Sequence, residues 1–401
     1  MKHIAGLGLS LVALLSLAAC GGGTTPTGSG GGASTSSSDT TGSGGTTAGS
    51  GGAGGSSATG TTSGSGGGST TSTTSGSGGG STTSGSGGSG GASSGTGGAS
   101  SGSGGGGGAP QVYDPDADGP YMFAELDDST QVQSTGHNVP VHCAYPTSGP
   151  TAGPYPVILF AHGFQLPPTQ YAGYVKRLAS FGYVVVNVDF PAPFFGEKHT
   201  DNAKDLIGAL DWAKNKATLA GKADVSQAGA SGHSLGGKVS LLAATMDARI
   251  KASITLDPVD TSMNCAPADC PDVSAMMPNL HIPTGFVGET TDASGAFQAC
   301  APAADNYTTF YAGTNTPSLQ VTAIGANHMS FLDNVAICGL TCSFCNMASA
   351  PNAQVNAMSK AFVVAFYERH LRGNAGYDTY LTGAEAQMRY VTTGQAMITS
   401  K

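Results

Sequence analysis

Ala230-Ser231-Gly232-His233-Ser234-Leu235-Gly236-Gly237-Lys238 is the stretch on which the reading of this chain turns. Its inner five residues fit G-x-S-x-G, a sharp strand-to-helix turn that lifts a serine hydroxyl clear of its backbone. A hydroxyl is a weak nucleophile and works only within reach of a base. The dihedrals of such a turn are strained and bring side chains into collision, which the missing Cβ atoms of Gly232 and Gly236 relieve. The first N–H groups of the next helix then face the reacting atom, where they can hold an oxyanion. The flanks suit the turn: Gln227 to Ser231 is mostly small, as a close-packed strand requires, and Val239 to Ala244 is an apolar helical run.

Working outward, Tyr121 to Tyr145 reads as opening antiparallel strands, with turn signals at Asp127-Asp128 and Thr135-Gly136. Tyr155 to Phe164 contains a continuous apolar run bounded by Pro and Gly, which suits a strand buried on both faces of a parallel sheet. A helix is expected over Thr169 to Ser180, with Tyr171, Val175 and Leu178 in one stripe, and a second buried strand over Tyr183 to Asp189. An amphipathic helix follows over Asp205 to Lys216. Beyond the elbow come strands at Ile250 to Leu256, His281 to Val287 and Leu319 to Ile324, then a closing helix over residues 355–372. Strands alternating with helices imply an α/β protein with a mainly parallel sheet flanked by helices. With the elbow near the fifth strand, the architecture is the α/β-hydrolase fold.

A serine on this turn needs a base and an acid, which follow it in the order acid, then His. Of nine histidines, only His281, His328 and His370 come after the elbow helix. His281 begins an apolar strand, and His370 reads as a solvated helix end beside Glu368 and Arg369. His328 lies in Gly325-Ala326-Asn327-His328-Met329-Ser330-Phe331, in the loop past the last expected parallel strand, where a catalytic base is presented. For the acid, Asp257 ends one strand, while Glu289 and Asp292 follow the next; the residues alone leave this choice open.

Four segments together resemble the chlorophyllase family: Gly232 to Lys238, Leu256-Asp257-Pro258-Val259-Asp260, Cys300-Ala301-Pro302 with Asn306, and Asn327-His328-Met329 with Phe331-Leu332-Asp333. The Ser-to-Asp interval is also similar to that of platelet-activating-factor acetylhydrolases. The resemblance implies that Asp257 is the acid, ahead of Asp292, and that Asp260 shapes the turn. The elbow puts the N–H of Leu235 at the oxyanion, with a second N–H from the loop after His162-Gly163, and the resemblance implies that this second donor is Phe164. Plant chlorophyllases carry Arg after the nucleophile; this chain has Leu235, as general lipases and esterases do. The expected activity is therefore hydrolysis of a carboxylic ester by Ser234, His328 and Asp257, needing no metal or organic cofactor. A lipase or polyester hydrolase is the neighbouring reading, and a surface binding module the reading outside enzymes. His162 is expected to be structural. Phe194, Phe195 and Met276-Met277 are candidates for either an acyl pocket or plain packing.

The rest of the chain is of a different kind. Residues 1–20 read as a signal peptide: Lys2 and His3 precede an apolar run, Ile4 to Leu17, that is short for a membrane span. Leu17-Ala18-Ala19-Cys20 resembles the lipobox of bacterial lipoproteins, which implies lipidation at Cys20; Gly21 after it implies outer-membrane sorting in a Gram-negative cell. Residues 21–109 are almost all Gly, Ser and Thr, lack the apolar surface for a core, and read as a disordered linker. As a random coil, such a tether spans roughly 50 Å. Residues 110–401 hold nearly all the charge and suit one hydrolase domain. The net charge of −9 with no basic patch argues against nucleic acid as a partner. Beyond Cys20, seven cysteines remain, and in an exported protein disulfides are the default. Cys265–Cys270 and a pair drawn from Cys338, Cys342 and Cys345 are expected local bridges. Zinc at Cys342 and Cys345 is disfavoured, because no second such pair completes four ligands.

Overall fold

The computed structural model describes residues 110–193, 195–260, 265–294 and 299–401. The expected signal peptide, Cys20, the linker and Phe194 lie outside the described residues. Among the described residues, one nine-stranded sheet organises the domain, in the order β1-β2-β4-β3-β5-β6-β7-β8-β9. The strands are β1 (Met122–Val132), β2 (His137–Ser148), β3 (Tyr155–Ala161), β4 (Val184–Val188), β5 (Ala223–Gly232), β6 (Ile250–Leu256), β7 (Thr284–Glu289), β8 (Ser318–Ala323) and β9 (Ala396–Ser400). From β4 through β8 all neighbours are parallel. The β1–β2 hairpin and β9 are added antiparallel at the two sides. This is the α/β-hydrolase architecture that the alternation of elements implied.

The core explains the long apolar runs. Alternate residues of β3 face opposite sides of the sheet. Val157, Leu159 and Ala161 pack with α2 (His199–Asn215), α3 (Leu235–Met246) and α4 (Tyr307–Gly313) on one side. Ile158 and Phe160 pack with α1 (Ala172–Ser180) and α5 (Asn352–His370) on the other. A strand covered on both faces has no polar side, so its sequence is continuously apolar. Among the described residues, no helix is long and apolar enough to cross a membrane.

Three expectations need correcting. Asp127-Asp128 is not a turn; both lie inside β1, and the hairpin turns at Thr135-Gly136, where Gly136 takes φ +76°. Carboxylates are weak strand formers, but Asp128 accepts hydrogen bonds from Trp212 Nε1 at 2.8 Å and Lys216 Nζ at 2.6 Å, which hold it in the strand. The second correction is His370, which is half-buried with its ring 4.6 Å from that of Phe366; burial pushes its pKa down to about 4. The third is β9, which the sequence reading lacks; it pairs with β8 from Leu319–Ser400 to Ala323–Ala396.

The disulfides are Cys265–Cys270, Cys338–Cys342 and Cys300–Cys345. Both local bridges fall where expected. The odd thiol is Cys143 on β2, fully buried, and burial pushes its pKa up to about 12. A thiol held so far from ionisation is a packing group rather than a nucleophile.

Candidate active site

The C-terminal ends of β3, β5, β6, β7 and β8 converge, and each delivers a polar group. Ser234 follows β5 at φ +55° and ψ −121°, a conformation that an L-residue adopts only when its surroundings impose it. What imposes it is pairing with the next strand: Ser234 N–H donates to Leu256 C=O at 3.0 Å, and His233 bridges to Leu256. The tight turn depends on its glycines. A Cβ at Gly232 would lie 2.4 Å from the Gly236 backbone, and one at Gly236 would lie 2.2 Å from Ala161 O. Anchoring the elbow to the end of β6 also sets Ser234 beside Asp257, the next residue after that strand.

His328 Nε2 lies 2.8 Å from Ser234 Oγ, and His328 Nδ1 lies 2.6 Å from Asp257 Oδ2. Asp257 is fully buried and Ser234 is half-buried. Asp257 Oδ1 is a buried oxygen with no hydrogen-bond partner among the described residues. Asp292, the rival acid, is also fully buried but faces a different atom of His328. Its Oδ2 accepts the backbone N–H of His328 at 2.8 Å, and its Oδ1 accepts that of Asn346 at 2.7 Å. Glu289 stands behind both, accepting the N–H groups of Thr291 and Asp292. Burial first, and the Asp257 charge second, push Glu289 up to about 7.

These groups act on the His328 ring in opposite directions. Burial disfavours its cationic form. The hydrogen bond and charge of Asp257, with Glu289 and Asp292 further off, outweigh that and hold its pKa above the ordinary 6.5. His233 is the other titratable group against it, with ring centroids 4.7 Å apart. Burial, followed by the His328 charge, keeps His233 well below its ordinary pKa, so it is neutral.

Leu235 is the first residue of α3, so its N–H has no acceptor within the helix. Phe164 sits in the turn after β3, closed by Leu166 N–H on Gly163 C=O at 3.1 Å. Next to it, Gln165 takes φ +55° and its side-chain amide reaches Ala192 C=O. His162 is structural in its contacts: it stacks on Phe190 at 4.2 Å, with Nε2 3.1 Å from Phe190 C=O. Asp260 joins fully buried Lys238, with Nζ 2.8 Å from Oδ1, and accepts the N–H groups of Val273 and Ser274. It therefore fixes the turn after β6. Met277 is core, packed with Phe310 and its neighbours, whereas Phe195 is exposed. His281 is exposed just before β7. Cys342 and Cys345 belong to different disulfides.

Sequence reasoning missed Tyr171 and His233 as site residues. Tyr171 Oη is 2.8 Å from His233 Nδ1, and His233 Nε2 is 2.8 Å from His328 C=O. Tyr171 stood in an apolar helical stripe and gave no polar signal. His233, inside the G-x-S-x-G pentapeptide, was the one readable hint.

Comparison with known proteins bears on the family and the class of reaction. The Chlorophyllase family model matches residues 113–388. Chlorophyllase-1 of Arabidopsis thaliana is 29% identical over 267 residues, covering 61% of this chain and 80% of that protein. Bis(hydroxyethyl) terephthalate hydrolase of Streptomyces coelicolor is 27% identical over 214 residues, covering 53% of this chain and 62% of that protein. Chloroplastic chlorophyllase-1 of Citrus sinensis is 26% identical over 235 residues, covering 56% of this chain and 70% of that protein. The chain belongs to the chlorophyllase family, within the α/β-hydrolase fold, and is a carboxylic ester hydrolase.

Proposed function

We propose that the chain is a serine esterase in which Ser234 is the nucleophile, His328 the base and Asp257 the acid. The observation that carries this is the unbroken contact Ser234 Oγ–His328 Nε2–Asp257 Oδ2, at 2.8 and 2.6 Å. His328 takes the Ser234 proton as Oγ attacks the ester carbonyl, and Asp257 holds the Nδ1–H tautomer and stabilises the imidazolium. The N–H groups of Leu235 and Phe164 receive the oxyanion, each donor typically lowering the barrier by roughly 3 kcal/mol. His328 then returns the proton to the leaving alcohol, and water attacks the acyl-enzyme in the same way. Leu235 stands where plant chlorophyllases carry Arg, which counts against chlorophyll as the substrate and leaves ester hydrolysis untouched. The relative named for bis(hydroxyethyl) terephthalate favours the polyester-fragment variant of this reading.

Two measurements test it. The full chain is expected to hydrolyse p-nitrophenyl esters from acetate to palmitate, and a fluorophosphonate is expected to label the peptide containing Ser234 and no other. Labelling elsewhere, or no turnover on any ester, would remove the proposal. A pH profile follows from the base. His328 works only when neutral, and its pKa is raised above 6.5. Activity is therefore present above that pKa and lost as pH falls through it, so the acid limb of kcat/KM is expected to have its midpoint above 6.5.

We further propose that the domain is exported and held at a membrane through a lipid on Cys20, with residues 21–109 as its tether. The Leu17-Ala18-Ala19-Cys20 segment supports this. In a bacterial host the wild-type chain is expected to incorporate labelled palmitate and partition into detergent. Cys20→Ala is expected to do neither; equal labelling of the two would count against the anchor.

A further inference from the structure

The site contains a second hydrogen-bonded chain that carries no part of the chemistry described so far. Gly163 N–H donates to Tyr171 Oη at 3.1 Å. Tyr171 Oη meets His233 Nδ1 at 2.8 Å, and His233 Nε2 meets His328 C=O at 2.8 Å. Tyr171 and His233 are fully buried, so no water competes for these positions. The direction of every bond is fixed. A carbonyl only accepts, so the His233 proton is on Nε2. Nδ1 is then the acceptor, and the Tyr171 proton points to it, leaving the phenol oxygen to accept from Gly163. Burial pushes the Tyr171 phenol up and His233 down in pKa, so neither ionises in the ordinary range and the order of protons holds.

The chain joins parts of the site that are far apart in sequence. Gly163 precedes Phe164, the oxyanion donor after β3. His233 immediately precedes the nucleophile. His328 is the base, and its two backbone groups are both held, the N–H by Asp292 and the C=O by His233. The fit is close: a Cβ at Gly163 would lie 3.0 Å from His233 Nδ1 and 3.1 Å from Tyr171 Oη. We infer that Tyr171 and His233 are positioning residues that couple the oxyanion loop to the base loop, so that the Phe164 N–H, Ser234 Oγ and His328 Nε2 keep one mutual geometry. The His233 ring packs on that of His328, and the hydrogen bonds of the pair go to Gly163 and the His328 C=O rather than to Ser234 Oγ or His328 Nε2. The inference rests on the serine-esterase reading and adds to it a specific means of alignment.

The experiment measures kcat and KM on p-nitrophenyl butyrate for the full chain and for Tyr171→Phe, His233→Leu, His233→Gln and the Tyr171→Phe/His233→Leu double variant. Rates are expressed per site titrated with fluorophosphonate, so that loss of folded protein does not count as loss of kcat. Tyr171→Phe removes one oxygen and leaves a buried N–H and an imidazole nitrogen without partners. It is expected to lower kcat about ten-fold with KM within about two-fold. His233→Leu frees the His328 carbonyl as well and is expected to lower kcat on the order of a hundred-fold. The Gln amide offers both a donor and an acceptor, so His233→Gln is expected to recover most of that loss. Because the residues act as one chain, the double variant is expected to match His233→Leu rather than the product of the two single losses. A purely structural role would lower the thermal midpoint and leave kcat per titrated site unchanged. That outcome, or multiplicative losses, overturns the coupling while the esterase reading stands. Absence of turnover in the unsubstituted chain removes both.

Discussion

Ser234→Ala is expected to lower kcat by about five to six orders of magnitude, and Asp257→Asn by about four. The first loss follows from removing the oxygen that lies 2.8 Å from His328 Nε2. The second has a subtler cause. Asn at 257 keeps the volume of Asp in a fully buried position, so the fold is retained. Its amide can donate to Nδ1, which moves the imidazole proton to Nε2, the nitrogen that must accept from Ser234. It also removes the charge that steadies the imidazolium. Asp292 is not placed to compensate, because both its oxygens are committed, one to His328 N–H and one to Asn346 N–H. Asp292→Asn retains an amide oxygen for the His328 N–H and is expected to cost no more than about ten-fold. Steady-state kcat for the three variants, each normalised to folded protein by circular dichroism, checks the ordering. If Asp292→Asn proved costlier than Asp257→Asn, the acid would have been assigned to the wrong strand.

Much of this site was legible because its chemistry is written locally. G-x-S-x-G is a backbone requirement compressed into five residues, and the apolar run through Val157 to Ala161, bounded by Pro and Gly, suits a strand covered on both faces. His328 followed from order along the chain and from its place after β8. The acid was not legible from residues alone, because Asp257 and Asp292 both follow strands and both end fully buried against His328. What separates them is which atom of His328 each reaches, a property of three-dimensional placement that only resemblance could anticipate. The same holds for β9, which pairs with β8 across more than seventy intervening residues, and for the Asp127-Asp128 pair. Local propensity put a turn there; Trp212 and Lys216 supplied partners that keep it a strand. Tyr171 shows the limit most clearly. An apolar stripe predicts that a tyrosine is buried, and it is, but the stripe does not say what its hydroxyl meets.

The glycines of the elbow make the strongest prediction about folding. Gly236→Ala adds one carbon atom, which would lie 2.2 Å from Ala161 O and 2.5 Å from Ala161 C and His162 O. All three are backbone atoms at the end of β3, so no side chain can rotate to make room. Relief requires α3 to move away from β3, or the β3 end to move with the loop that carries Phe164. Either motion also separates the Leu235 and Phe164 N–H groups that the proposed mechanism sets at one oxyanion. Overpacking of a rigid site costs about 3 kcal/mol or more, which in a domain of this size lowers the thermal midpoint by roughly 6–12 °C. Gly136→Ala is the matched control. At φ +76° it meets nothing within 4 Å, so it carries a conformational cost of about 1 kcal/mol without a collision. Thermal unfolding followed by circular dichroism should place Gly136→Ala a few degrees below the parent and Gly236→Ala well below both. Fluorophosphonate labelling of the folded fraction should be unchanged in the first and slowed in the second. Equal midpoints for the two would mean that α3 can leave β3 freely. The close approach of those backbones would then be incidental to the turn rather than the reason glycine stands at 236.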